Sequence, residues 1–330
     1  MKRIRISRRK FIRSSIAAGA AAALPIPGGC SFGSSPFDPR GLTVRELGNT
    51  GVKVPLLAFG TGSRFMAVEG VEKRLEMLEY ALDHGLYYWD TAAIYKETGS
   101  DLYSEEVLGT ILKSRRSEVF LASKVSDRDP ELARRTIEKS LSRLQTDYLD
   151  LYQVHSIESA EDARSLGKTG GVLDVLHQYR DEGIIRHIGF SGHRSTEGMR
   201  LAAALYDFDT MLIAMNHWVQ WDNDPEKQVI PAVAANGLGI IAMKLIRPRD
   251  TIEGLDPLKL IRYALSLEHV SAASIGMDSM EVLRSNIELI RDFKPLPDTE
   301  MQEMQLALEP FFGNRDLEWM RPGYRDGITA

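Results

Sequence analysis

The chain alternates between short apolar runs and longer segments whose apolar residues lie three and four positions apart. The runs that resemble strands are LLAFGT, LYYWDT, VFLAS, YLDLYQV, IRHIGFS, TMLIAM, GIIAM and SAASIG. Between the first two, Leu75, Leu78 and Leu82 form one helical stripe that ends near Gly85. Eight strands, each followed by a helix at a spacing of roughly 25–35 residues, predict a (β/α)8 TIM barrel.

Two further elements are expected outside the repeating units. The stretch LTVREL-GNTG-VKVPLLAFG predicts an N-terminal β-hairpin, because a turn containing Asn and Gly separates two strand-like runs. An extra C-terminal helix is predicted near TEMQEMQLALEPFF. A doubly wound sheet is disfavoured because no GxGxxG motif follows a strand. The expected organisation is a segment at 1–29, a linker at 30–41 and one barrel at 42–330.

Charge is divided unevenly along the chain. The first 37 residues contain no acid and seven basic residues, which are Lys2, Arg3, Arg5, Arg8, Arg9, Lys10 and Arg13. Removing these charges takes the formal net charge from −5 to −12. Such an acidic body argues against a nucleic-acid or anionic-membrane partner.

The basic start has the order of an export signal. SRRKFIR places paired arginines before a mildly apolar stretch, SIAAGAAAALPIP. Its uninterrupted apolar or small residues, 16–24, fall well short of the about 20 that span a bilayer. The segment 1–29 is similar to a twin-arginine (Tat) signal peptide, which implies the Tat export machinery as a partner and a bacterial periplasm or cell envelope as the destination. We expect no stable membrane span in the mature protein.

The single cysteine narrows the chemistry. Cys30 excludes disulfides within the chain, iron–sulfur clusters and Cys-based zinc sites. Lipid attachment at Cys30 is disfavoured, because Pro27 stands where an aliphatic residue normally precedes such a cysteine.

Polar side chains stand at the ends of three successive strands. Asp90 ends the second strand and Tyr95 follows in its loop, while Lys124 ends the third strand and His155 the fourth. Active sites of such barrels lie at the carboxyl ends of the strands, so these four side chains are expected to converge. Taken singly, each could be a loop cap, a surface lysine, a core imidazole or a rim aromatic. Together, Asp90 and Lys124 can pair, which makes their burial acceptable.

Such a group can deliver a proton to a carbonyl oxygen. A tyrosine hydroxyl has an ordinary pKa of about 10, and a neighbouring ammonium is expected to lower it. An aspartate can hold that lysine in place, and an imidazole N–H can hold the substrate oxygen. These are the requirements for trapping an alkoxide while hydride arrives at carbon.

Over nearly all of residues 41–293 the chain resembles the aldo-keto reductases. The matching pieces, in order, are REL-GNTG-VKVP, FGTGS, WDTAAIY, SEEVLGTIL, EVFLASKV, SLSRLQTDYLDLYQVH, GIIRHIGFSG, IAMK and SIGMDSMEVLRSNIELI. The resemblance implies that Tyr95 is the general acid and Lys124 its assisting ammonium. It implies that Asp90 is the counter-ion of the lysine and that His155 orients the substrate. The implied activity is reduction of an aldehyde or ketone, a small-molecule carbonyl substrate, to an alcohol.

The same resemblance implies a cofactor, NADP(H) or NAD(H), bound without a Rossmann motif. The residues carried over as cofactor-binding are Ser191, Met243, Lys244, Gly276, Ser279 and Asn286. Their ordinary alternatives are a turn at Gly276 and a helix N-cap at Ser279. The chain departs from many members of the family at Gly192, Leu212 and Val282, where Asn, Gln and Arg are common. The preference between the two nucleotides therefore stays open.

Two alternatives have a basis in the residues. His155, His193 and His217 lie near the ends of adjacent strands, with Asp90 nearby, and could bind zinc for hydrolysis. No HxH or HExxH spacing supports this, and Lys124 would place positive charge beside the metal, so we expect no metal. A barrel that binds a nucleotide without turnover is the second alternative.

Overall fold

The computed structural model of the protein describes residues 36–215, 224–246 and 255–311, together with Trp319, Tyr324 and Asp326. The predicted export signal, Cys30 and His217 lie outside the described residues. Within the described part, no helix combines the length and the apolar character needed to cross a membrane.

Eight parallel strands close into a barrel, as predicted. Each predicted apolar run overlaps one of them, and they follow the chain in order around the barrel, with the last strand pairing with the first. The strands are β3 (Leu57–Gly60), β4 (Tyr88–Asp90), β5 (Phe120–Val125), β6 (Leu149–Val154), β7 (Ile185–Gly192), β8 (Thr210–Ala214), β9 (Gly239–Met243) and β10 (Val270–Gly276). Six of the eight are buried along their whole length, so their continuous apolar runs are those of a parallel sheet covered on both faces.

Helices surround the barrel, and five of them begin at an Asp or Ser whose side chain caps the helix. They are α1 (Ser63–Met66), α2 (Val71–Asp83), α3 (Ser104–Arg115), α4 (Pro130–Leu144), α5 (Ala160–Ser165), α6 (Val172–Asp181), α7 (Thr196–Leu205), α8 (Ile230–Ala234), α9 (Pro257–Ser266), α10 (Met280–Arg291) and α11 (Asp298–Leu308). Asp129, for example, accepts from the amides of Glu131 and Leu132 and is followed by Pro130, a favoured first helical residue. The predicted C-terminal helix is confirmed as α11.

The predicted hairpin covers the amino-terminal end of the barrel. Its strands β1 (Val44–Glu46) and β2 (Lys53–Pro55) pair antiparallel, and their turn reaches the start of β9. Gly48, at φ 55°, lies so close that a Cβ there would be 2.2 Å from the backbone nitrogen of Gly239. A glycine is required at this contact, both for its positive φ and for the missing side chain. The opposite, carboxyl end of the barrel is left for the candidate site.

The barrel is also joined by a residue from the predicted linker. Phe37 is buried and stacks on Tyr87, with ring centroids 5.1 Å apart, immediately before β4 begins. Tyr87 donates in turn to the backbone oxygen of Lys53 in the hairpin. Packing against the barrel therefore begins before residue 42.

Candidate active site

Asp90 lies at the carboxyl end of β4 and is 4% exposed. Its Oδ2 accepts from Lys124 Nζ at 2.8 Å and from Ser274 Oγ at 3.1 Å, and its Oδ1 accepts from Gln153 Nε2 at 3.1 Å. One carboxylate thus joins β4 to β5, β6 and β10 across the barrel. A buried carboxylate of this kind is tolerated because its hydrogen bonds replace those of water.

The predicted pairing of Lys124 with Asp90 is confirmed. The lysine side chain is fully buried, and its Nζ also donates to the backbone oxygen of Thr91 at 2.7 Å. The same nitrogen lies 5.1 Å from the centroid of the Tyr95 ring. Lys124 therefore adjoins the tyrosine, while its charge is balanced by Asp90.

Tyr95 is held in the loop that follows β4. Its amide donates to the oxygen of Ala92, and its carbonyl accepts from the amide of Ser104 at the start of α3. Gly62 leaves room for the ring, since a Cβ there would lie 3.3 Å from Tyr95 Cε2. These contacts direct the hydroxyl into the barrel mouth, where it donates to Asp326 Oδ2 at 2.5 Å.

His155 follows β6 and meets Tyr95 edge to face, with centroids 6.0 Å apart. Its Nδ1 faces Ser126 Oγ at 3.3 Å and its Nε2 faces Asp326 Oδ2, also at 3.3 Å. Burial lowers the pKa of His155, so the ring is neutral. An ionised carboxylate only accepts, which places the ring proton on Nε2. The four predicted side chains, including the imidazole, converge as expected.

Asp326, in the C-terminal tail, is a member of the cluster that the sequence did not indicate. Its Oδ2 contacts Tyr95 and His155, whereas its Oδ1 accepts from Lys244 Nζ and Tyr324 Oη, each at 2.7 Å. Burial alone would raise the pKa of Asp326, but the charge of Lys244 and the hydrogen bond from His155 hold it well below its usual range. The carboxylate is therefore ionised. No motif or periodic pattern in the tail points to this residue.

The expected lowering of the Tyr95 pKa is not found in this arrangement. Burial raises the pKa of Tyr95 well above its ordinary value, and the negative charges of Asp326 and Asp90 add to the effect. Burial and the two carboxylates determine the direction, and Lys124 is itself paired with Asp90. Tyr95 is consequently a neutral phenol that keeps its proton.

A cavity of about 310 Å³ extends outward from Asp90 and Tyr95. Three of the predicted cofactor residues, Met243, Lys244 and Gly276, line it. Glycines form part of its wall: at Gly276 a Cβ would lie 2.9 Å from Arg64 Cβ. The missing side chain at Gly276 therefore makes room for Arg64, and the exposed backbone of Gly276 is open to close approach by a nucleotide.

The other three predicted cofactor residues are engaged in, or positioned by, local structure. Ser191 Oγ accepts from the amide of Ser156 at 2.9 Å, and Ser279 caps α10 by accepting from the amide of Val282 at 3.2 Å. Each hydroxyl keeps its own proton for donation. Asn286 is buried, and its Nδ2 has no hydrogen-bond partner among the described residues. An unpaired buried amide is costly, so a ligand acceptor at this position would be favourable. The cavity lined by Met243, Lys244 and Gly276 fits a dinucleotide cofactor, whereas Asn286 lies outside that lining.

The departure at Gly192 has a steric explanation. A Cβ on Gly192 would lie 2.4 Å from Met199 Sδ in α7, so the Asn that is common in the family cannot be placed without moving the methionine. Leu212, the second departure, is a buried core residue of β8. The local packing therefore accounts for an apolar or small residue at both places.

The comparisons with known proteins agree with this geometry. The model of the aldo/keto reductase family matches residues 57–247, which is more than half of the chain. The chain therefore belongs to the aldo/keto reductase family, and it is an NAD(P)-dependent oxidoreductase. Within the described residues, no group of three or more His, Cys, Asp or Glu side chains forms a metal site.

Individual relatives cover most of the chain. It is 26% identical to L-galactose dehydrogenase of Arabidopsis thaliana over 84% of its length and 97% of the relative, and 25% identical to the uncharacterised oxidoreductase YqkF of Bacillus subtilis over 79% and 95%. A solved aldo-keto reductase of Bacillus halodurans, in its holo form, shares the fold with a TM-score of 0.65 and 21% identity, covering 81% of this chain and 96% of that one.

Proposed function

We propose that the protein reduces an aldehyde or ketone to an alcohol with NADP(H) or NAD(H), using Tyr95 as the proton donor. One observation carries the proposal. A single oxygen, Oδ2 of Asp326, lies 2.5 Å from the Tyr95 hydroxyl and 3.3 Å from His155 Nε2. Two donors that meet at one oxygen form the arrangement that a developing oxyanion requires. The carbonyl oxygen of a substrate would take the place of this carboxylate oxygen.

The protonation states support the assigned roles. Neutral Tyr95 has a proton to give, and neutral His155 donates through Nε2 without taking a proton itself. An alkoxide is a stronger base than a phenolate, so proton transfer from Tyr95 is favourable even when its pKa is raised. After the proton transfer, Lys124 faces the phenolate of Tyr95. The attraction between the ammonium and the phenolate arises only once the proton has left, so it favours the transfer. Asp90 holds Lys124 in position through the 2.8 Å ion pair.

The cofactor supplies the hydride when it is bound. Met243 and Gly276 line the cavity beside Tyr95. Asn286 lies outside the cavity lining and has an unpaired buried amide. We assign Ser191, Lys244 and Ser279 to the same binding region on the family resemblance. These residues bind and orient, while the proton is moved by Tyr95.

The test is a panel of aldehydes and ketones supplied with NADPH and with NADH, run beside Tyr95→Phe. The substitution removes only the hydroxyl, so turnover should fall by about 10²- to 10⁴-fold while cofactor binding, measured by fluorescence titration, is retained. Unchanged turnover in Tyr95→Phe would refute the assignment. Binding of cofactor without reduction of any carbonyl by the wild-type chain would favour the non-catalytic alternative.

We further propose that residues 1–29 export the protein through the Tat pathway to the periplasm or cell envelope. The support is the order of SRRKFIR, the mild apolar stretch and the linker at 30–41. The Tat pathway carries folded proteins, so a tightly held cofactor could be loaded before export and regenerated there by a second substrate. Replacing Arg8 and Arg9 by Lys should leave the protein in the cytoplasmic fraction. Unaltered fractionation would contradict this route.

A further inference from the structure

The tail carboxylate occupies two adjacent positions in the active site. Its Oδ2 lies at the position of the carbonyl oxygen, between Tyr95 and His155. Its Oδ1 lies beside it, at 2.7 Å from Lys244 Nζ and 3.8 Å from His193 Nε2. The site therefore provides hydrogen-bond donors for a second oxygen next to the one that is reduced.

Lys244 is held in this position by an unusual backbone conformation. It follows β9 with φ 59°, a backbone conformation that residues other than glycine rarely adopt. Such a conformation persists where the surrounding structure requires it, and it often marks a functional position. Its Nζ reaches Asp326 and Tyr324, both from the tail. Both partners would be lost if the tail moved away.

His193 adds a buried ring nitrogen beside Lys244. The residue is 3% exposed, and its Nδ1 faces Ser156 Oγ at 3.1 Å. Its Nε2 has no hydrogen-bond partner among the described residues, although it faces Oδ1 of Asp326. A buried polar atom left in this state is costly, and an acceptor slightly nearer than Oδ1 would satisfy it.

The charged side chains of the cluster require one anion for charge balance when Asp326 is displaced. Asp90 and Lys124 balance each other, and the buried imidazoles of His155 and His193 are neutral. Among the described residues, the carboxylate that pairs with Lys244 is that of Asp326. When the tail carboxylate leaves, one uncompensated positive charge remains beside the reacting position. A ligand with a single negative charge restores the balance, whereas a neutral carbonyl compound does not.

We propose that Lys244 and His193 form a carboxylate-binding subsite, that the substrate is a 2-oxo acid, and that Asp326 is an internal ligand which the substrate displaces. This rests on the proposed carbonyl reduction. In a 2-oxo acid the carbonyl oxygen and a carboxylate oxygen stand on neighbouring carbons, so they can face Tyr95 and Lys244 together. They lie slightly further apart than the two oxygens of Asp326, which brings the second oxygen towards His193.

The reaction balances without another reagent. The carbonyl carbon gains a hydride from NAD(P)H, the carbonyl π bond breaks, and the oxygen gains the proton of Tyr95. The products are the 2-hydroxy acid and NAD(P)⁺, and the phenolate recovers its proton from water. The carboxylate is unchanged throughout and serves to position the substrate.

The first experiment compares three 2-oxo acids of increasing size with their methyl esters, using the full chain and both nucleotides. At least one acid should exceed its ester about 10-fold or more in kcat/KM, since the ester lacks the charge that Lys244 binds. With the nucleotide at saturating concentration, Lys244→Met should lower kcat/KM for that acid about 10-fold more than it lowers kcat/KM for the ester. Lys73→Met, at an exposed position on α2, is the matched control and should change neither.

The outcomes separate this inference from the proposed function. If acids and esters are reduced equally well, or if Lys244→Met affects both alike, the carboxylate subsite is wrong while carbonyl reduction stands. If no carbonyl compound of either kind is reduced, the proposed function itself fails.

A second experiment tests the tail as an internal ligand. Oxalate, which cannot be reduced, should bind to Asp326→Asn more tightly than to the wild type when binding is measured by calorimetry. The same variant should show a lower KM for the 2-oxo acid with kcat retained. Loss of kcat for every substrate in Asp326→Asn, with cofactor binding intact, would overturn the inference and place Asp326 in the proton-transfer machinery. Unchanged oxalate affinity would also overturn it.

Discussion

Replacing Lys124 by Met should destabilise the protein strongly, because it leaves a buried carboxylate without its cation. Lys124 is fully buried, and it makes a 2.8 Å ion pair with Asp90 and a 2.7 Å hydrogen bond to Thr91. Breaking one side of a buried pair costs about 3–5 kcal/mol of the free energy of unfolding. Gln153 and Ser274 still donate to Asp90 in the variant, so we expect the lower part of this range. Carbonyl reduction should fall as well.

The double variant separates the loss of the pair from the loss of packing. Asp90→Asn alone leaves Lys124 buried without its counter-ion, and it should cost a similar amount. In Lys124→Met with Asp90→Asn neither charge remains, so the cost should be about 1–3 kcal/mol less than the sum of the single variants. Urea unfolding, followed by circular dichroism and checked for reversibility, provides these free energies.

An exposed ion pair serves as the control. Lys96 and Asp101 lie 3.5 Å apart, and the aspartate side chain is fully exposed. Lys96→Met should therefore change the free energy of unfolding by less than about 1 kcal/mol. If Lys124→Met were as mild as Lys96→Met, or if the double variant showed no recovery, the view of Asp90 and Lys124 as a mutually dependent buried pair would be refuted.

Two further predictions concern stability. Burial raises the pKa of Glu226 to about 7, so the folded state holds a proton that the unfolded chain has lost. The stabilisation that comes from this bound proton is complete below the unfolded pKa of Glu226 and is lost as the pH rises to about 7. Glu226→Gln should therefore reduce the change in the free energy of unfolding over that pH window by about 1–3 kcal/mol. An unchanged dependence of the free energy of unfolding on pH would contradict this. Gly192→Asn should destabilise the protein by about 1–3 kcal/mol through its clash with Met199, and Met199→Ala should relieve part of that clash in the double variant. Equal stability of Gly192→Asn and wild type would show that the helix adjusts freely.

Much of the barrel could be predicted from the sequence because its signals are local. Each strand is a short apolar run, and the carboxyl ends of parallel strands must meet, so Asp90, Lys124 and His155 could be expected together. The partners Gln153 and Ser274 could have been found by the alternation of side chains along β6 and β10. Alternation shows only which face of the strand they occupy, and a single polar residue inside an apolar strand carries no motif that indicates its partner.

The tail and the pKa of Tyr95 could not be predicted in the same way. Asp326 comes from a segment without a periodic sequence pattern, 231 residues after Tyr95 along the chain, so no local pattern relates the two. The predicted lowering of the Tyr95 pKa considered the ammonium of Lys124 alone. The raised pKa of Tyr95 comes from burial, from the carboxylates of Asp326 and Asp90 and from the nearby Tyr324, and these contributions follow only from distances in three dimensions.

The hairpin at the amino-terminal end of the barrel has a consequence for molecular traffic. Its turn packs on the start of β9, whereas the cavity beside Tyr95 lies at the carboxyl ends of the strands, so we expect nucleotide and substrate to enter from that one end. Two ligands that enter through one opening bind one after the other, and the ligand that is bound deeper dissociates last. We therefore expect steady-state kinetics of a compulsory-order kind rather than independent exchange of the two ligands.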